Sequence, residues 1–157
     1  MNIYVMSREK CVRYCHKPHN DYSIIISINT PWAIYGNEPF TSGENKVLSI
    51  LRVWFDDVDV ETKNCMNEEH AEAIKKFVAR FSNRNDVSVI VHCDAGVSRS
   101  AGVAAALSKY YNGTDGKYFD GQYTPNMWCY RIMLNELFGG CGVHFLFTDG
   151  GDMVDKC

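Results

Sequence analysis

Short apolar segments separated by helical patterns predict an α/β protein. Four segments are rich in β-branched and other apolar residues, as in strands that are buried in a sheet: residues 2–6, 22–28, 46–55 and 87–91. Because helical patterns lie between and after them, the chain predicts a central, mostly parallel sheet of about four or five strands flanked by helices. No composition shift or linker divides the 157 residues, so we expect a single domain.

The helices are predicted from their caps as well as from their apolar faces. Residues 8–16 follow Ser7 as a cap, and residues 67–82 begin with Asn67 as their cap. Another helix is predicted from Thr124 to about residue 138, with Thr124 as its cap and Gly-Gly ending it at 139–140. The tail from residue 141 contains one apolar run, 143–147, and we expect it to be frayed after about residue 148.

The junction between the fourth predicted strand and the next helix carries a Cys-x5-Arg loop. Cys93 begins this loop, Arg99 ends it, and an Ala-rich helix is predicted over residues 100–111. Backbone N–H groups that lead into a helix N-terminus attract anions, because unpaired donors and the positive end of the helix dipole meet there. Such surroundings favour the thiolate form of Cys93. The planar fork of Arg99 suits two oxygens of a phosphoryl group.

The Cys-x5-Arg spacing is a weak signal alone, but the residues around it form a longer motif. His92 to Ser100 read HCDAGVSRS. This segment resembles the His-Cys-x2-Gly-x-Ser-Arg-Ser signature of the dual-specificity branch of the cysteine-based protein tyrosine phosphatases. The later Pro125-Asn126 pair is similar to the start of that family's closing helix, although the positions after it match less well.

The resemblance implies a phosphatase P-loop and assigns roles to its residues. Cys93 would be the nucleophile that forms a phosphocysteine intermediate, and Ser100 would donate a hydrogen bond to its sulfur. His92 would orient the loop, although a buried structural histidine is the alternative. The phosphate-binding positions are those of the loop itself: Asp94, Ala95, Gly96, Val97, Ser98 and Arg99.

An acidic cluster after the third predicted strand offers the general acid that such a phosphatase needs. Asp56, Asp57 and Asp59 follow residues 46–55. The carboxyl ends of parallel strands lie at one edge of a sheet, where Cys93 is also predicted to lie. The family's acid follows a strand in this order, and alignment of the strand ends favours Asp57. Asp56 or Asp59 could serve instead, and a merely solvated acidic turn is a further alternative.

The loop sequence favours a phosphoprotein as the substrate, with phosphotyrosine, phosphoserine and phosphothreonine left open. Lipid and polyphosphate phosphatases of the superfamily tend to carry lysine inside this loop, and residues 94–98 contain none. A phosphoinositide or an RNA 5'-phosphate is therefore a less favoured alternative. A pseudophosphatase that binds phosphoprotein without hydrolysis is a second class, and a rhodanese-like domain, which also uses a Cys-x5-Arg loop, is a third.

The composition of the chain bears on its partners, its location, the state of its cysteines and its cofactors. The net charge of -3 and the pI near 5.9 give no electrostatic case for a nucleic acid or membrane partner. Without a long apolar segment or a signal-peptide pattern, we expect a cytoplasmic protein. The seven cysteines, an odd number without framework spacing, are expected to be reduced thiols. Cys11 and Cys15 lie four apart near two histidines, but this spacing favours packing over zinc, and we expect no metal or other cofactor.

A long loop is predicted between the second and third strands. Residues 32–44 contain Pro, Gly, Asn and Ser with aromatic residues between them. Such a loop could form a wall of the active site. Packing of Trp32, Tyr35 and Phe40 against the core is the interpretation that the sequence favours.

Overall fold

The predicted α/β fold is confirmed by a computed structural model, which describes residues 1–35 and 45–139. Within this part the strands are β1 (Asn2–Ser7), β2 (Tyr22–Asn29), β3 (Val47–Trp54) and β4 (Val87–Cys93). The α-helices are α1 (Arg8–Cys15), α2 (Glu68–Ala79), α3 (Arg99–Asn112) and α4 (Met127–Leu137), and a 3-10 turn covers Gly116–Tyr118. The four strands are parallel and lie in the order β1-β4-β2-β3.

The sheet is covered on both faces, as its continuous apolar strands predict. All seven residues of β4 are buried, as are the seven that follow Tyr22 in β2. Successive side chains of a strand point to opposite faces. Ile24, Val89 and Val91 accordingly belong to a large core cluster with residues of α2, α3 and α4, whereas Ile25 and Ile90 belong to a smaller cluster.

The smaller cluster packs the sheet against α1 and accounts for two of the cysteines. Cys11 and Cys15 are buried there together with Ile25, Val47 and Ile90. These thiols fill space between the helix and the sheet, in line with the packing that their spacing favoured. Among residues 1–35 and 45–139, no group of three or more His, Cys, Asp or Glu side chains could hold a metal ion.

Helix α3 packs against α4 and against strands β1 and β4. All of its residues from Arg99 to Ser108 are buried, which suits a sequence of small and apolar side chains. Gly113 ends the helix in the left-handed conformation, with φ of 74°. Within the described part of the chain, no helix is long and apolar enough to cross a bilayer.

Helix α4 begins later than the sequence predicted. The cap is Asn126, whose side chain accepts from the Cys129 N–H, and not Thr124. The prediction was wrong because Thr124 and Asn126 donate their backbone N–H groups to the carbonyls of Val97 and Ser98, which draws this stretch along the Cys-x5-Arg loop. The predicted Gly-Gly stop and the predicted frayed tail extend beyond residue 139, outside the described residues.

The parallel register brings the carboxyl ends of the strands to one edge of the sheet. Ser7 pairs with Cys93, Asn29 pairs with Trp54, and Ser27 pairs with His92. The residues that follow each strand therefore meet at the edge where open α/β sheets bind their ligands.

Candidate active site

The Cys-x5-Arg loop lies close against the end of β1. Gly96 has φ of 74°, and a Cβ atom built there would collide with the Ser7 nitrogen and lie 2.5 Å from the Met6 carbonyl carbon. The Arg8 N–H donates to the Asp94 carbonyl at 3.1 Å, on the same side of the loop. The loop can take this path only because Gly96 has no side chain.

Gly96→Ala is expected to destabilise the protein and to distort the loop. Gly113→Ala is a matched control, because Gly113 has the same φ of 74° but nothing within 4 Å of a built Cβ. The free energy of unfolding of the control should fall by about 1–2 kcal/mol, the cost of an alanine in the left-handed conformation. The free energy of unfolding of Gly96→Ala should fall by at least about 1 kcal/mol more, because the added methyl group also collides with the backbone of β1. Urea unfolding measures both, and equal losses would contradict the steric role of Gly96.

The Cys93 sulfur has two hydrogen-bonding neighbours at the start of α3. The side chain is buried, the Gly96 N–H donates to Sγ at 3.3 Å, and the Ser100 Oγ lies 3.1 Å from Sγ. The Ser100 hydroxyl can donate to an ionised sulfur. Helix α3 begins at Arg99, at the end of the loop, and has no acidic residue in its own first turn.

Arg99 is buried at the other end of the loop and its guanidinium is held in one orientation. Nη1 donates to Thr30 Oγ1 at 3.0 Å and to the Phe55 carbonyl at 2.9 Å, and Nη2 donates to Asp94 Oδ2 at 2.7 Å. Nε has no hydrogen-bond partner among the described residues and lies 3.8 Å from Asp57 Oδ2. The scaffold thus binds both N–H groups of Nη1 and one of Nη2, and it leaves the buried Nε without a hydrogen bond.

Asp94 accepts hydrogen bonds from three side chains around the loop. Its carboxylate accepts from Arg8 Nε at 3.2 Å, from Thr30 Oγ1 at 2.7 Å and from Arg99 Nη2. Burial would raise the pKa of Asp94, but the hydrogen bonds from Thr30, Arg99, Tyr35 and Arg8 outweigh it and lower the pKa to about 2. Asp94 is therefore ionised at neutral pH and neutralises part of the charge of the two arginines.

Of the predicted acidic cluster, Asp57 contacts the loop directly. Its Oδ1 accepts from Ser98 Oγ at 2.7 Å and from Asn126 Nδ2 at 2.9 Å. Ser98 is the N-cap of α3, and its hydroxyl bonds to Asp57 without capping the helix. About two-fifths of the Asp57 side chain is exposed, at 41%. The carboxylate is therefore accessible at the mouth of the loop.

His92 lies beneath the loop, within the sheet. Its Nδ1 is 3.4 Å from the Cys93 carbonyl, a contact in which the ring N–H donates. Burial, reinforced by the positive charge of Arg8, lowers the pKa of His92 to about 4. At neutral pH the ring is therefore uncharged, and any influence on Cys93 comes through the position of the backbone.

Three residues of the site were not predicted from the sequence: Arg8, Thr30 and Asn29. Arg8 donates to Asn29 Oδ1 at 2.7 Å as well as to Asp94. Arg8 and Thr30 each directly follow a strand, which is the signal that could have found them, since strand ends meet at one edge. The sequence drew attention to Asn126 only through the resemblance, and its contact with Asp57 spans 69 residues.

Comparisons with known proteins support the fold. No protein-family model and no curated protein sequence matches the chain. Among solved structures, PTPMT1 in complex with PI(5)P matches with a TM-score of 0.55 and 15% identity, covering 87% of this chain and 90% of the other. Tk-PTP in the active form matches with a TM-score of 0.53 and 12% identity, over the same 87% and 90%. The chain has the fold of PTP-like phosphatases.

Proposed function

We propose that the protein is a cysteine-dependent phosphatase that hydrolyses phosphate monoesters. The observation that carries this proposal is the Cys93 sulfur between the Ser100 hydroxyl and the Gly96 N–H, at the N-terminus of α3 and at the opposite end of the loop from Arg99. This arrangement provides a nucleophile and an anion-binding loop together. The PTP-like fold supports the same reaction.

In the first step the Cys93 thiolate attacks phosphorus and the bond from phosphorus to the ester oxygen breaks. The loop N–H groups of residues 94–99 and the Arg99 Nε hold the other phosphoryl oxygens, where charge develops in the transition state. Asp57 gives its proton to the leaving oxygen, so the alcohol departs neutral. The product left on the protein is a phosphocysteine.

In the second step water attacks the phosphocysteine and Asp57 accepts the water proton. The bond from phosphorus to sulfur breaks, inorganic phosphate leaves and Cys93 returns as a thiolate. The Ser100 hydroxyl stabilises the departing sulfur through the contact of 3.1 Å. The contacts of Asp57 with Ser98 and Asn126 favour it over Asp56 and Asp59 as the acid and base.

We assign the protein to the dual-specificity branch and infer a phosphoprotein substrate. The HCDAGVSRS segment supports the branch, and the absence of lysine from residues 94–98 favours a substrate with one phosphate group. PI(5)P, the ligand of PTPMT1, makes a phosphoinositide the second candidate. A panel of phosphotyrosine and phosphoserine peptides, phosphoinositides and 5'-phosphorylated RNA separates these substrates.

Hydrolysis of a generic aryl phosphate tests the proposed reaction. We expect turnover without added metal, unchanged by a chelator and blocked by vanadate, because the thiolate, Arg99 and the loop N–H groups supply the charge stabilisation. Loss of activity on chelation that zinc or magnesium restores would overturn the mechanism. Phosphopeptide binding without any hydrolysis would instead identify a pseudophosphatase.

A further inference from the structure

A turn after β2 is attached to the candidate active site at both of its ends. Thr30 accepts from Arg99 and donates to Asp94, with distances of 3.0 Å and 2.7 Å. Tyr35 accepts the Thr30 N–H through its hydroxyl at 2.8 Å, and the Arg8 guanidinium lies 3.4 Å from the centre of its ring. Residues 30–35 are therefore positioned relative to Arg99 by specific contacts.

Between these attachments the turn presents two large apolar side chains to solvent. Trp32 is 91% exposed and Ile34 is 98% exposed. This corrects the prediction that Trp32 packs against the core. Of the other two residues in that prediction, Tyr35 packs on Arg8, and Phe40 lies outside the described residues.

The exposed turn is also strained. Trp32 has φ of 67°, a left-handed conformation that is unfavourable for a residue with a Cβ atom. The side chain receives no compensating burial in the free protein, since 91% of it is exposed. Strain and exposure of a large apolar side chain beside a candidate active site point to a ligand contact.

The charges of the site limit what that ligand is. Arg8 donates to Asp94 and Asn29 through Nε and Nη2, and its Nη1 is buried without a hydrogen-bond partner among the described residues. The outer nitrogens of Arg99 donate to Asp94, Thr30 and the Phe55 carbonyl. The Arg99 Nε and the loop N–H groups suffice for one phosphoryl group. A substrate with one phosphate and an apolar flank matches this combination better than a polyanion does.

We propose that Trp32 and Ile34 form a specificity rim that binds an apolar side chain next to the phosphorylated residue of a protein substrate. The proposal rests on the proposed phosphatase function and names the substrate class of that site. A membrane surface is the competing occupant for an exposed Trp-Ile pair. The net charge of -3 opposes approach to an anionic leaflet, so the peptide is favoured.

Paired phosphopeptides test the rim. One peptide of each pair carries leucine or isoleucine beside the phosphorylated residue, and the other carries serine there. The wild-type protein should hydrolyse the apolar peptide with a kcat/KM roughly ten-fold higher, as expected for one buried aliphatic side chain. Trp32→Ala and Ile34→Ala should reduce this preference, mainly through KM, and should change kcat/KM for p-nitrophenyl phosphate by less than about two-fold.

Tyr110→Ala is the matched control. Tyr110 is 43% exposed and lies on α3 eleven residues after Arg99, about 16 Å along the helix at 1.5 Å per residue. This variant should keep the peptide preference. Equal losses for the peptide and for p-nitrophenyl phosphate in Trp32→Ala would overturn the rim, because they would show a general effect on the loop.

Binding measurements separate failure of the rim from failure of the phosphatase function. Calorimetry with Cys93→Ser should show tighter binding of the apolar phosphopeptide, and the Cys93→Ser/Trp32→Ala double variant should lose that difference. A retained difference in binding without wild-type hydrolysis would support the rim while refuting the catalytic function. No peptide preference, together with Trp32-dependent sedimentation on phosphatidylcholine-phosphatidylserine vesicles, would replace the peptide by a membrane.

Discussion

Replacing Cys93 by serine is expected to abolish hydrolysis while leaving phosphopeptide binding largely intact. A serine hydroxyl stays protonated at neutral pH, so it cannot supply the nucleophile that forms the covalent intermediate. The loop N–H groups and Arg99 remain in place to bind the phosphoryl group. We expect kcat for an aryl phosphate to fall by roughly 10⁴-fold or more, the scale seen when an enzyme loses its nucleophile.

Cys65→Ser is the matched control for this experiment. Cys65 is also a buried free thiol, but it lies in the segment before α2. This variant should retain turnover, and calorimetry should show that Cys93→Ser still binds the phosphopeptide. Turnover by Cys93→Ser comparable to the wild type would show that Cys93 is not the nucleophile.

Asp57→Asn is expected to slow substrates with poor leaving groups by roughly 100-fold or more, the usual scale of general acid catalysis. An amide keeps the hydrogen bond from Ser98 or Asn126 through its oxygen but has no proton to give to the leaving oxygen. A substrate with a good leaving group needs no proton, so its loss should be much smaller. Turnover of alkyl and nitrophenyl phosphates gives the comparison.

The pH dependence of the rate is a second test of Asp57 as the general acid. The wild-type rate should be bell-shaped, with the alkaline limb falling as the acid loses its proton. In Asp57→Asn that limb should flatten. Asp56→Asn and Asp59→Asn are the controls, and they should keep both the rate and the limb. If either control loses the alkaline limb while Asp57→Asn keeps it, the aspartate replaced in that control is the general acid.

The sheet and the loop could be predicted because their signals are local. The apolar run of residues 87–91 and the abrupt change to HCDAGVSRS place a strand, a loop and a helix in immediate succession. The caps Ser7 and Asn67 were found for the same reason, since a cap bonds a residue three positions away. The Asn126 cap was missed because the path of residues 124–126 depends on the distant carbonyls of Val97 and Ser98.

The sequence by itself determined the class of fold, the Cys-x5-Arg loop and the approximate position of an acid after the third strand. Only the tertiary structure decided which side chains meet there. Asp57 reaches Ser98 across 41 residues, and Thr30 reaches Arg99 across 69. The exposure of Trp32 is likewise invisible in the sequence, where an aromatic residue favours burial. The physical reason is that strand register and helix packing, which join distant segments, set these contacts.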